Sequence, residues 1–243
     1  PHTPEEEKTW DPGMIKDAQS GNMHYFYYDT QDNLEDWVKE SHKHQVFGTK
    51  VQTEAFRRDP NMVTFAIHLF IDAWPSGWMK TIVDCERNPK PAFFAYQDAL
   101  TPLAINIRND RKTYFAGEDA SIELFICNDT QIQADGHQII CELLSKDGSV
   151  VYSGTFPANF KENSSFMQGD ISFKAPDVSA RTAYTLRAIL TDAKGEVIHY
   201  YDEEIEVFPT EAPVIPKAIV VTGEEFTESA EKLTSLAELG NTV

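Results

Sequence analysis

A chain of 243 residues, 41% hydrophobic and 12% aromatic, carries enough apolar material for one large domain or two ordinary ones and is too apolar to stay disordered. Thirty-nine acids against 21 bases give a net charge of -18, which repels phosphate backbones and anionic lipid surfaces, so neither nucleic acid nor membrane is expected as a partner. Cys85, Cys127 and Cys141 are odd in number and lack metal-ligand spacing, so they give no disulfide framework and no zinc site to argue from.

Both ends read as cut. The first segment, "PHTPEEEKTWDPG", starts without methionine, and its Glu5, Glu6 and Glu7 form a charge run of the solvated-loop kind. "YFYY", residues 25 to 28, reads as a strand buried on both faces or as a carbohydrate platform, with Met23, His24 and Asp29 at a pocket edge. Residues 32 to 58 then look helical in two pieces, with Asp32 as a cap; Leu34, Trp37 and Val38 share one face, and Phe47, Val51 and Ala55 another. His42 and His44 sit two apart on that helix and point to different faces, so they hold no shared metal. An apolar strand is predicted over 63–71. It breaks at Asp72 into a loop with Trp74, Pro75, Gly77 and Trp78, gives a second apolar run, and leads into a helix over 91–100 that buries Phe93, Phe94 and Tyr96. Helix, strand, loop, apolar run and helix is the cadence of an α/β barrel.

After Pro102 the helical pattern stops. Seven short alternating or wholly apolar runs follow, from "LAINI" to "EVIHYYDEEIEVF", separated by polar turns. This predicts an immunoglobulin-like β-sandwich over 102–208, with Ile122, Leu124, Ile126, Leu186 and Ile189 facing inward. "KDGS" and "AKGE" suit hairpin turns because Gly148 and Gly195 can take positive φ. "PTEAPVIP" (209 to 216) reads as a proline-stiffened linker, and residues 217 to 243 as a strand, a helix and the start of another strand, which together need a partner sheet. The fold class expected is therefore multi-domain α/β plus all-β: residues 1–101 as the terminal part of a (β/α)8 barrel, 102–208 as the sandwich, and 209–243 as linker and further unit.

The tryptophan loop has two readings from pattern alone. Asp72, Trp74 and Trp78 could stand at the carboxyl end of a barrel strand, where an aromatic stacks on a sugar ring and a carboxylate accepts hydroxyl hydrogen bonds. Alternatively the tryptophans seal the barrel against the sandwich and Asp72 caps a turn.

"DAWPSGWMKTIVD" (72 to 84), "NPKPAFFAYQDALTPL" (88 to 103) and "YFAGEDASIELFICNDT" (114 to 130), in that order, resemble the end of the barrel and the following sandwich of family 2 glycoside hydrolases, the β-mannosidase, β-galactosidase and exo-glucosaminidase group. The likeness runs from about residue 33 to 208. In that family the last barrel strand reads Trp-x-Leu-Asn-Asp-x-Trp-Pro. Asp72, Trp74 and Pro75 match, while the leading tryptophan of the sugar-binding floor falls at His68 and the asparagine at Ile71. The resemblance implies retaining hydrolysis of β-linked sugars by two glutamates about 5 Å apart. Their sequence contexts, Asn-Glu and Glu-aromatic-Gly, are not in this chain. The expectation is a C-terminal portion of a glycosidase, with Asp72, Trp74, Trp78 and His68 lining the substrate site, a carbohydrate as partner alongside the rest of the parent polypeptide, no cofactor, and a periplasmic or secreted setting. The alternative is a non-catalytic carbohydrate-binding or structural module of the same fold.

Overall fold

The computed structural model describes residues 31–74 and 80–210. Trp78, Pro75, Gly77, the "YFYY" run with its neighbours, the glutamate run and the segment from 211 to 243 lie outside the described residues.

Helix α1 (Leu34–Arg58) is one continuous piece. Its cap is Asn33 rather than Asp32: the Asn33 side chain accepts from the Asp36 N–H at 2.9 Å. Glu35 and Asp36 in the first turn and Arg57 and Arg58 in the last complement the helix dipole, and the chain leaves the helix at Asp59, ahead of Pro60, which disfavours helical geometry in the residue before it. The expected apolar stripe is on the wrong side. Phe47 and Val51 are exposed, while Thr53 and Glu54 are buried at 4% exposure each. The reason lies in the surface the helix rests on, which offers carbonyls, an asparagine and a tyrosine hydroxyl, and so selects the polar face of α1.

Residues 63–71 do not form the predicted barrel strand. They are irregular, with bends at His68 and Phe70, and their strand pairing is confined to Ile71, which bridges Val83 in parallel. A parallel strand takes its ladder from neighbours on both sides, and among the described residues only the 81–84 run supplies one. The two helices are therefore seen without a barrel sheet between them. Val83 also bridges Pro89 across a turn in which Asp84 Oδ1 accepts from the N–H groups of Glu86 and Asn88. Helix α2 (Pro91–Ala99) follows, with proline at its first turn.

The β-sandwich is observed, with eight strands rather than seven: β1 (Leu103–Arg108), β2 (Thr113–Phe115), β3 (Asp119–Asn128), β4 (Gln138–Leu144), β5 (Val150–Pro157), β6 (Ser164–Lys174), β7 (Thr182–Thr191) and β8 (Val197–Phe208). The added strand, β2, is three residues long and pairs in parallel with the end of β8, too short to show a period in sequence. One sheet has the order β1-β3-β6 and the other β2-β8-β7-β4-β5. Ile122, Leu124, Ile126 and Leu186 are enclosed in the core as predicted. Ile189 is not. It sits between the buried Ala188 and Leu190, so β7 turns the opposite parity inward. The predicted turns hold: Gly148 and Gly195 have φ of 85° and 83°, in the left-handed region that glycine enters without strain.

Strand β1 is buried along five consecutive residues because both its faces are covered. Leu103, Ile105 and Ile107 join the core, while Asn106, on the opposite face, accepts a hydrogen bond from Arg58 of α1 at 3.1 Å. Helix α1 thus packs on the outside of the smaller sheet.

Candidate functional site

The loop at Asp72 is built from its two flanks. Asp72 N–H donates to the Val83 carbonyl at 3.1 Å, Val83 N–H to the Phe70 carbonyl at 3.0 Å, and Lys90 N–H to the Ile82 carbonyl at 2.9 Å. From α1, Gln45 Nε2 donates to the carbonyls of Lys80 and Thr81 at 3.0 and 2.9 Å, which fixes the returning arm of the loop. Beneath these lie Ile82, Val83 and Ala92, packed by Val46, Ile67, Ile71, Phe93 and Tyr96. Phe94, predicted to be buried with Phe93, is instead exposed on α2 and meets the Phe93 ring edge to face.

Asp72 is committed to the loop's own architecture. Thr81, fully buried, donates its hydroxyl to Asp72 Oδ2 at 2.6 Å; Lys90 Nζ donates to Thr81 Oγ1 at 2.8 Å and stands 3.5 Å from the same carboxylate oxygen. The carboxylate is 11% exposed and the ammonium 18%. An aspartate, a threonine and a lysine, each nine residues from the next along the chain, therefore clamp the mouth of the loop. Thr81 and Lys90 escaped the sequence reading because a lone threonine in an apolar run and a lysine between two prolines have no distinguishing spacing.

Trp74 projects from this clamp with 62% of its surface open, so its indole is not sealing a core within the described residues. His68, six residues upstream, is exposed too, and the His68–Leu69 peptide is cis. The structure thus brings Asp72 and Trp74 to one loop, and leaves His68 on the arm that leads into it.

A second group of ionisable side chains lies between α1 and β8. Glu54 Oε2 accepts from the Tyr201 hydroxyl at 3.0 Å, with Lys50 and Arg58 of the same helix each 3.9 Å away. Burial, opposed by those cations, pushes the Glu54 carboxyl up to about 7. A carboxyl that keeps its proton up to about pH 7 could act as a general acid, yet at 4% exposure Glu54 cannot meet a substrate. Among the described residues no group of three or more potential metal ligands is clustered, which leaves no metal centre to describe there.

Comparison with known proteins bears on the fold. No family profile matches the chain, and no curated protein does. Among solved structures, a β-D-mannosidase from Dictyoglomus thermophilum superposes with a TM-score of 0.54 at 19% identity, covering 78% of this chain and 23% of the mannosidase. A Bifidobacterium dentium β-glucuronidase, solved with coumarin-3-O-glucuronide, aligns over 44% of this chain and 18% of its own at 21% identity and a TM-score of 0.30. A superoxide reductase from Ignicoccus hospitalis reaches the same TM-score, 0.30, at 12% identity over 43% of this chain and 80% of its own. The mannosidase likeness shows a shared fold; the other two are too loose to weigh. The chain spans about a quarter of the mannosidase's length.

Proposed function

We propose that this chain is part of a family 2 type glycoside hydrolase acting on β-linked sugars, in which it supplies one wall of the sugar pocket and the immunoglobulin-like sandwich that supports it. The observation that carries this reading is the fold shared with a β-D-mannosidase over 78% of the chain, a stretch long enough to take in more than the sandwich. The sheet orders β1-β3-β6 and β2-β8-β7-β4-β5 suit an immunoglobulin-like sandwich. In this reading Trp74 offers its open indole face to a sugar ring, and Asp72, through Thr81 and Lys90, holds the loop in shape before the sugar arrives. His68, on the arm that leads into the loop, is assigned to the same sugar site. The two catalytic glutamates belong to other parts of the polypeptide.

The test has two arms. The chain alone should not turn over aryl β-glycosides, and turnover abolished by changing one of its own glutamates would overturn the placement of the chemistry. In the complete protein, Trp74→Ala should weaken binding of a β-mannoside by roughly tenfold with melting temperature unchanged, since an aromatic ring contact contributes about 0.5–1.5 kcal/mol beyond the area it buries. Unchanged affinity would remove Trp74 from the sugar site; the second reading is a non-catalytic carbohydrate-binding or structural module of the same fold, for which an exposed His68 in place of the floor tryptophan is the supporting feature.

A further inference from the structure

Strand β8 carries three polar residues of one parity, His199, Tyr201 and Glu203, ahead of the core residues Ile205 and Val207. Alternation places all five on one face, yet only the last two and the ring of Tyr201 are covered by the opposing sheet's core. The polar groups meet the helices instead. The His199 imidazole stands 3.7 Å from Asp98 of α2, and both its ring nitrogens are buried without a hydrogen-bond partner. Tyr201 donates to Glu54 of α1, and the Lys50 ammonium lies 3.9 Å from the centre of its ring. Glu203 stands 3.8 Å from Lys112, and its side chain is 9% exposed.

We propose that this seam is a proton-operated latch: Glu54, buried against β8 with Glu203 beside it, holds a proton while α1 is docked on the sandwich and gives it up when the helix loosens. The proposal does not depend on the glycosidase reading.

The charge inventory around Glu54 supports it. From its own helix, Lys50 and Arg58 face it at 3.9 Å each, longer than a good ion pair, and both are shared: Lys50 with Asp98 and the Tyr201 ring, Arg58 with Asn106. From β8, Tyr201 offers one hydroxyl hydrogen and Glu203 adds a second negative charge. Asp98 approaches from α2, held down by His199, and so brings a further carboxylate to Lys50. Two distant cations, already divided among other partners, do not repay the desolvation of a carboxylate next to another carboxylate. The neutral acid does better. Glu203 is pushed up in the same way, with burial as the first cause.

The sign follows from linkage. Glu54 rises from an ordinary 4.5 to about 7 on docking, so the docked state binds more protons than the loosened one. The latch is fully closed below the ordinary value and weakens as pH rises through about 7.

Hydrogen exchange of the whole chain reads this directly. Amides in the second half of α1, corrected for intrinsic exchange, should lose protection by roughly tenfold or more between about pH 5 and about pH 8, while amides of β3 and β7 keep theirs. Glu54→Gln keeps the shape and removes that titration, so most of the loss of protection across that range should disappear, with only the contribution of Glu203 left. Glu203→Gln removes the neighbouring charge and should move the transition to lower pH, which keeps the idea testable if Glu54→Gln fails to fold. Constant protection in the wild-type chain would overturn the latch, as would a transition unmoved by either glutamine.

Discussion

Between Leu103 and Phe208 every strand except β5 contributes to one continuous buried core, whereas between Leu34 and Leu100 the enclosed apolar cluster is Ile82, Val83 and Ala92. The sandwich is held by its own apolar burial. The helical region is held in large part by what it touches on the sandwich, and those contacts are polar. Arg57, 5% exposed, donates to the carbonyls of Ala99 and Thr101 at 2.8 Å each, to that of Pro102 at 3.3 Å, and to Asp129 of the β3–β4 turn at 2.8 Å. One planar guanidinium therefore ties the end of α2, the entry to β1 and a sandwich turn to α1. Two regions of one chain can reach comparable order by different means, and they should come apart under different insults.

The largest expected effect separates their cores. Leu186→Ala, at a fully buried site of β7, should cost about 2–5 kcal/mol and lower the unfolding midpoint of the whole sandwich. Ile82→Ala removes a side chain equally enclosed, but from the small cluster. Its damage should stay local, loosening the loop and α2 while strand signals persist. Denaturant unfolding followed by far-ultraviolet circular dichroism and by residue-level exchange distinguishes them; a sandwich midpoint lowered equally by Ile82→Ala would show one cooperative unit instead of two.

Next in size is the tie itself. Arg57→Ala leaves three carbonyls and a carboxylate without their shared donor and should cost about 1.5–3 kcal/mol, the range for hydrogen bonds to a charged group. Arg57→Lys keeps the charge but cannot span the fork, so it should recover less than half of that loss. Full recovery by lysine would mean the contact is one of charge and not of geometry.

A smaller effect tests the packing under the loop. Phe93 is half-buried against the Ile82 cluster and meets the rings of Phe70 and Phe94, so Phe93→Ala should cost about 1–3 kcal/mol, below the range for a fully enclosed phenylalanine. Phe94→Ala, on the open side of the same helix, should change the melting temperature little. The reverse order would mean that α2 packs through its other face.

The contrast between the regions also explains what the sequence disclosed. In the sandwich, alternation and turn glycines name the strands almost to the residue, because burial of one sheet face is what the pattern encodes. The miss at Ile189 shows the limit: in "LRAIL" apolar residues occupy both parities, and only Ala188 and Leu190 find the core. In the helical region the same logic misled. Phe47, Val51 and Ala55 make a regular stripe, yet α1 docks through Glu54, Arg57 and Arg58, whose roles depend on carbonyls and a tyrosine far away in sequence. Of the loop, Asp72 and Trp74 were legible from their position after an apolar run, while Thr81 and Lys90 became visible only when the chain folded back to them. Polar contacts between distant segments leave no period to read.

The smallest expected effect sets two carboxylates of these regions against each other. Glu118, at the turn after β2, takes both nitrogens of Arg111 on its two oxygens at 2.5 and 2.6 Å, and its Oε2 accepts from the Phe115 N–H at 2.9 Å. The Arg111 guanidinium, then the Phe115 amide, hold its carboxyl down at about 2, against an ordinary 4.5. Glu54 is displaced the other way. Their linkages therefore run in opposite senses: what Glu118 contributes is present above its ordinary value and lost as pH falls through about 2, whereas what Glu54 contributes is present at low pH and lost as pH rises through about 7. Arg111→Ala should let the Glu118 carboxyl rise most of the way toward its ordinary value, stopping short because the Phe115 amide still donates to it. The stability change at neutral pH should be barely measurable, since the pair is open to water and solvent screens it. Side-chain carbon NMR titration of both glutamates decides the matter. A Glu118 that stays near 2 without Arg111 would place the cause in the turn's backbone, and a Glu54 that moves with Arg111→Ala would show that the seam is coupled to the neighbouring turn after β2, the strand paired with β8.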